Sequence, residues 1–290
     1  MTAARHRPQR APRLSGSRVL VGRLGPGGRL SLAIFLLLIV VLIFPHRLAP
    51  YSPTVMAPDE ILQPPGAGHW FGTDQFGRDI LSRLIYGTRV SLTLGVVAVL
   101  ISLVLSLPTG LAAGYYRGRV DALIMRVADV MLAFPGILLA MMVIAILGPG
   151  LVNAMIAVGI GQAPAYARVI RASTLIVREQ AYLEAAQAMG SGDARILVRH
   201  VFPNVIQPLI VVATVGFAAA IIIGSSLGFL GLGALPPTPE WGTMVSEGRT
   251  YFRSQWWISV FPGMVIGVAV LTFNILGDAL RDILDPRLRK

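Results

Sequence analysis

A chain of 290 residues with 54% hydrophobic and 13% charged residues, and a mean hydropathy of +0.70, is too apolar for a soluble enzyme of one or two domains. Its apolar residues fall in long runs, the pattern of a polytopic membrane protein. The net charge of +11 would fit a nucleic-acid partner, but its distribution along the chain argues otherwise, and the lack of cysteine excludes disulfides, thiolate metal sites and cysteine catalysis.

Residues 1–29 carry Pro, Gly and seven arginines without a periodic apolar face, so a disordered basic tail near anionic lipid is expected there. An arginine-rich start before an apolar run resembles a signal peptide. However, Phe44, Pro45, His46 and Arg47 follow the run and offer no small-residue cleavage site, which points to an uncleaved first span.

A helix needs about 20 mostly apolar residues to cross the hydrocarbon core. Six stretches approach that length: 30–48, 90–113, 130–147, 151–167, 206–230 and 258–276. The fourth is weakened by Gln162 and Pro164, and the first is clean only over residues 30–44. With both termini in the cytoplasm, six spans put 19 of the 25 basic residues inside, leaving Arg47, Arg78, Arg83, Arg89, Arg249 and Arg253 outside. The basicity is therefore mostly topological.

Between the first two spans, residues 49–88 are Pro- and Gly-rich and extracytoplasmic. Residues 78–89 read as an amphipathic helix, apolar at Ile80, Leu81, Leu84 and Ile85, expected to lie along the membrane surface. Asp74 and Asp79 around Gly77 read as helix-capping and as partners of Arg78 or Arg83, in preference to a cation site. Asp129 stands three residues after Arg126, the spacing of a local ion pair on one helix face.

Residues 166–187 contain no helix breaker, so the fourth span is expected to continue into the cytoplasm. Gly190-Ser191-Gly192 stops it, and Asp193 is placed to cap a second short helix over residues 194–201, with Pro203 after its end. That helix has an apolar stripe of Ala194, Leu197, Val198 and Val201 and a basic face of Arg195 and Arg199. A helix this short is marginal in water, so it must pack on something.

Near the C-terminus, residues 236–257 combine proline, charge and aromatic rings. Glu240, Trp241 and Arg249 suit contact with a docked soluble protein, while Trp256 and Trp257 read as an interfacial aromatic belt. Asp278, Asp282 and Asp285 share a helix face with Arg281 and Arg287 interspersed, a pattern read as ion pairing rather than a metal site.

The lone lysine, Lys290, cannot serve a P-loop, so the chain is not a P-loop ATPase. His6, His46, His69 and His200 are scattered and form no HExxH, which disfavours a metal-dependent membrane enzyme. The spans hold almost no acids at mid-membrane, which disfavours an autonomous proton-coupled carrier or channel. The energy is expected to come from another protein.

One polar segment interrupts the apolar pattern: YLEAAQAMGSGDARILVRHVFPN, residues 182–204. Its Glu184-Ala185-Ala186, then Gly190, then His200-Val201-Phe202-Pro203, resembles the EAA loop of permease subunits of bacterial ABC importers. HWFGTDQFGRDILSRLIYGTRVSL (69–92), RVADVMLAFPGILLA (126–140), YARVIR (166–171), GFLGLGALPPTPEWGTM (228–244) and FNILGDALRDILDPRLR (273–289) extend the likeness. Together, over residues 30–290, they are similar to the C-type permease of dipeptide/oligopeptide/nickel ABC importers, the DppC/OppC type. His200 and Phe202 stand where the general EAA pattern has Ile and Leu, and resemble the peptide branch.

The resemblance implies an all-α membrane protein of six transmembrane helices, with a type I importer core at 89–290 behind an added first span at 30–48. It implies a non-catalytic subunit that pairs with a homologous second permease, two ATPase subunits or one fused ATPase, and an extracytoplasmic peptide-binding protein. No cofactor is implied in this chain itself; ATP and Mg²⁺ belong to the ATPase. The loop at 182–204 is the implied coupling element, with Glu184 reaching a basic residue of the ATPase, Ala185 and Ala186 allowing close approach, Gly190 making the turn, and Asp193, Leu197, Val201 and Pro203 completing the docking helix. Ser225, Ser226 and Phe229 are the implied pathway residues. Many relatives carry an acid just before the SFLGLG-like motif, where this chain has Gly224-Ser225-Ser226, so charge selection in the pore is not implied. The cargo expected is a dipeptide or short oligopeptide, with a nickel chelate, glutathione or another small solute as the alternative.

Overall fold

The computed structural model describes residues 25–284, so the expected disorder before residue 25 and the contacts expected of Asp285 and Arg287 lie outside the described residues. Among these, the chain is all-α, with an isolated bridge between Thr73 and Asp79 as its one β-type contact. Helix α1 (Pro26–Ile43) is followed by the short α2 (Pro45–Leu48), the break falling at Phe44 before Pro45. Then come α3 (Ile80–Tyr116), α4 (Gly118–Leu132), α5 (Gly136–Leu147) and α6 (Leu151–Arg178). Two short helices, α7 (Ala181–Ala188) and α8 (Asp193–Ile196), precede α9 (Phe202–Phe229), α10 (Trp241–Gly248) and α11 (Trp257–Leu284).

Helices α3 and α6 form the central pair of this bundle, and their approach depends on small residues. A methyl group built on Gly110 would lie 2.7 Å from the Ala167 carbonyl oxygen, and one on Gly114 2.5 Å from Cβ of Thr174. Two glycines four apart therefore let the helix backbones come close, as is common between helices in membranes. The contact is tied by Ser102, whose hydroxyl donates to the Gly159 carbonyl across the helices at 2.8 Å.

Several expected boundaries are corrected. The stretch read as an amphipathic surface helix is the first part of α3, a single 37-residue helix capped by Asp79, whose carboxylate accepts from the Ser82 amide at 2.7 Å. Its Ile80, Arg83 and Leu84 are all buried, so this part packs inside the protein. The third expected span is not straight: α4 and α5 meet at 95°. Pro135 causes the break, since it lacks an amide donor and disfavours helical backbone at Phe134. By length and hydropathy, four helices among the described residues can cross a membrane, or five if α4 and α5 count together, against the six expected. The shortfall is α6, whose second half carries Arg168, Arg171 and Arg178.

Asp129 pairs with Arg168 at 2.7 Å and not with its neighbour Arg126, because α4 packs beside α6. Asp278, Asp282 and Arg281 are exposed and form no ion pair among the described residues.

Candidate functional site

The EAA-like segment folds as a helix, a turn and a second helical run. Helix α7 ends in a Schellman motif: the Ser191 amide donates to the Ala186 carbonyl at 3.1 Å and the Gly190 amide to that of Gln187 at 2.9 Å. The motif needs a left-handed residue, and Gly190 supplies it with φ of +82°. Gly192 rather than Asp193 caps the next helix. Asp193 is instead its first residue, and its carboxylate accepts a hydrogen bond from the Tyr115 hydroxyl at 2.8 Å. Nor does the helix end before Pro203. Helix α8 passes through a π turn (Leu197–Val201) directly into α9, so Asp193–Phe229 is one helical rod. The wider turn accommodates the donor that Pro203 lacks.

Glu184 points outward from α7, exposed and without a hydrogen bond or ion pair among the described residues. Ala185 is exposed beside it. The apolar stripe is split, with Ala194 and Val198 exposed and Leu197 and Val201 turned inward. Ala186 and Val201 are buried and Leu197 is half-buried, and Leu197 and Val201 pack with Tyr115, Ile170, Leu183 and Ile196 among residues of α3, α6 and α9. This corrects the expectation that Ala186 and Val201 meet a partner, while Leu197 keeps part of its surface open. The outward apolar groups are Tyr182, Met189 and Val198, at 46%, 80% and 70% exposure. Sequence reading placed Val198 in its stripe but missed Tyr182 and Met189, because helical spacing cannot say which apolar residues the rest of the chain covers.

On the other side of the bundle, Ser225, Ser226 and Phe229 line one open cavity of about 350 Å³ with Ile137, Val245 and Ile266. A second cavity, about 590 Å³, is lined by Tyr166, Gln207, Pro208, Val212, Val215 and Arg281. Pro208, Val212 and Val215, then Ile222, Ser226 and Phe229, follow one another at helical spacing. Both cavities therefore open on one face of α9.

Glu240 and Trp241 are not available to a docked protein, being 1% and 0% exposed. Glu240 caps α10, accepting from the Gly242 and Thr243 amides at 2.8 Å each and from the Thr243 hydroxyl at 3.0 Å. Ser91 of α3 donates to the same carboxylate at 3.3 Å. Burial pushes the Glu240 carboxyl above the ordinary carboxylate range, and these hydrogen bonds act in the opposite sense. The indole of Trp241 donates to the Leu84 carbonyl at 3.3 Å, so the pair clamps α10 onto α3. Arg249 is exposed. Trp257 is likewise interior, donating to the Thr73 carbonyl at 3.2 Å, while Trp256 is exposed.

The expected capping and pairing of Asp74 and Asp79 holds within a larger network. Asp74 pairs with Arg78 at 2.6 Å and with Arg83 at 3.5 Å, and both arginines reach Glu247 at the end of α10. His69 is held between Asp79 at 2.8 Å and Glu60 at 3.2 Å. Glu247 had no sequence signal, since its partners lie more than 160 residues away.

Residues 106–290, which include the loop, both cavities and α10, match the family of binding-protein-dependent transport system inner membrane components. The chain belongs to this family. The permease is 47% identical over 251 residues to the dipeptide transport system permease protein DppC of Alkalihalophilus pseudofirmus, covering 87% of this chain and 83% of that relative. It is 44% identical over 255 residues to the glutathione transport system permease protein GsiD of Pectobacterium atrosepticum, covering 88% and 85%. Among solved structures, an inward-facing MetNI methionine ABC transporter chain superimposes with a TM-score of 0.58, covering 71% of the permease and 98% of that chain. At 18% identity that likeness shows the fold alone, the type I ABC permease fold. The permease is thus an inner membrane component of a binding-protein-dependent transport system.

Proposed function

We propose that the permease moves dipeptides or short oligopeptides into the cytoplasm, driven by separate ATPase subunits that dock on residues 182–204. The carrying observation is the outer face of that segment: an unpaired, exposed Glu184 beside exposed Tyr182, Met189 and Val198, on helices braced from beneath by buried side chains. A surface that is apolar, charged and rigidly backed suits a groove on a soluble partner. ATP with Mg²⁺ binds to those partners, which consist of two ATPase chains or one fused chain, and this chain contributes no catalytic group. A homologous second permease completes the pathway along the cavity-lined face of α9, and an extracytoplasmic binding protein delivers the cargo. Both termini lie in the cytoplasm in this reading, the orientation that fits the charge map.

When the ATPase closes on ATP, the docked segment moves as a rigid body and opens the pathway outward; hydrolysis resets it. Glutathione transport is the second reading, favoured by the GsiD likeness. The α9 cavities are mostly apolar, with the polar groups of Tyr166, Gln207, Ser225 and Ser226 and a single arginine, a weakly binding lining that leaves selection to the binding protein.

The test is reconstitution in liposomes with the partner permease, the ATPase and the binding protein loaded in turn with a dipeptide, a longer peptide, glutathione or a nickel chelate. ATP-dependent uptake is expected with the peptides. Stimulation by none of them refutes the cargo assignment, and uptake by this chain alone without ATP refutes the mechanism.

A further inference from the structure

We propose that Tyr115 is the positioning residue that joins both limbs of the coupling segment to transmembrane helix α3. The inference rests on the reading of residues 182–204 as the docking element, and names how that element is held.

Tyr115 is in the last turn of α3 and is 4% exposed. Its hydroxyl donates to the Asp193 carboxylate at 2.8 Å and accepts from the Gln187 side-chain amide at 3.3 Å. Gln187 belongs to α7 and Asp193 to α8, so one oxygen atom contacts the segment on both sides of the Gly190 turn. The outer side of the turn is open, since nothing lies within 4 Å of the position a Gly190 side chain would take. The guanidinium of Arg178, the last residue of α6, covers the ring at 5.6 Å from its centroid. Three successive helices of the cytoplasmic side therefore converge on one side chain of α3.

The location of Tyr115 suits it to transmitting movement. Two residues later α3 ends at Arg117, which has φ of +56°, and the chain enters α4, which leads into the 95° bend. Arg117 pairs with Glu179 at 2.9 Å, tying the same junction to the segment between α6 and α7. A displacement of α7 and α8 thus reaches α3 through a hydrogen bond to a carboxylate, which is short and directional. The apolar contacts beneath the segment resist separation but allow sliding. The hydroxyl fixes the angle.

Because the chain has no cysteine, spin labels can be placed on A181C, at the start of α7 outside the docking segment, and on R119C, both exposed, without background from this chain. Distances would be measured by pulsed EPR in the full transporter in nanodiscs, without nucleotide and trapped with ATP and vanadate. Wild type is expected to give a narrow distribution that shifts as one population. Y115F and D193A are each expected to broaden it. Each should lower peptide taken up per ATP hydrolysed by roughly tenfold, the fold-change equivalent of one charge-assisted hydrogen bond. The amount of assembled complex should stay unchanged. The Y115F/D193A double variant should be no worse than either single one, because all three lack the Tyr115–Asp193 bond.

E184K serves as the reference for docking. If Y115F keeps a narrow distribution and a normal uptake ratio while E184K abolishes uptake, the role of Tyr115 is overturned and the docking reading stands. If E184K also transports normally, both fall. Loss of assembled complex in Y115F and D193A, with the surviving fraction fully coupled, would reduce Tyr115 to a folding role and overturn the proposal.

Discussion

Arg83 donates to Glu247 at 2.8 Å across 164 residues of sequence, and Arg78 reaches the same carboxylate oxygen at 3.2 Å. Both guanidiniums are nearly fully buried, and Glu247 is 17% exposed. The start of α3 and the end of α10 are therefore held by charges that depend on one another.

Removing Glu247 leaves two buried cations with Asp74 as their remaining partner. E247A is expected to destabilise the permease by about 3–5 kcal/mol, the cost of breaking a buried pair from one side. E247Q, which keeps an acceptor, should lose less. Thermal unfolding in detergent checks this, and an E247A midpoint equal to wild type would show that the network contributes nothing.

Glu240 links stability to pH. Burial raises its folded pKa above that of the unfolded chain, so its contribution is complete below the unfolded value and is lost as pH rises through the folded one. The advantage of wild type over E240Q in thermal midpoint should therefore be largest in acid and shrink toward neutral pH. A gap that is constant or grows with pH contradicts the assignment.

The Gly190 turn has space for a side chain but a backbone that disfavours one. G190A is expected to strain the turn by about 1–2 kcal/mol. G190N should be tolerated better, because asparagine adopts left-handed backbone more readily. Initial rates of peptide uptake should rank wild type, G190N, then G190A, at equal amounts of inserted protein.

Gly242 tests the packing of α10 on α9. A methyl there would meet the backbone of Ser225, which cannot move aside as a side-chain tip would. G242A is expected to cost about 1–3 kcal/mol through overpacking. The thermal midpoint of the detergent-purified permease reads the effect directly.

The sequence carried the architecture because local signals dominate it. Apolar runs mark the long helices, Gly190 marks its own turn, and Asp79 marks the start of α3. It failed where long-range packing decides. Glu240 and Trp241 look like exposed loop residues by composition, yet α3 and α9 enclose them. The stripe through Leu197 and Val201 is visible as periodicity, but only the fold shows that the permease itself covers it, leaving Tyr182, Met189 and Val198 outside. Asp129 chose Arg168 over its sequence neighbour for the same reason.

If, as proposed, ATPase subunits drive the permease through the outer face of residues 182–204, a claim about one exposed carboxylate follows that E184K can decide. Glu184 supports nothing within the chain among the described residues, so reversing its charge should leave folding and membrane insertion intact. In the reconstituted transporter, E184K is predicted to insert at wild-type levels and to abolish ATP-driven peptide uptake. Uptake by E184K at the wild-type rate would contradict the claim.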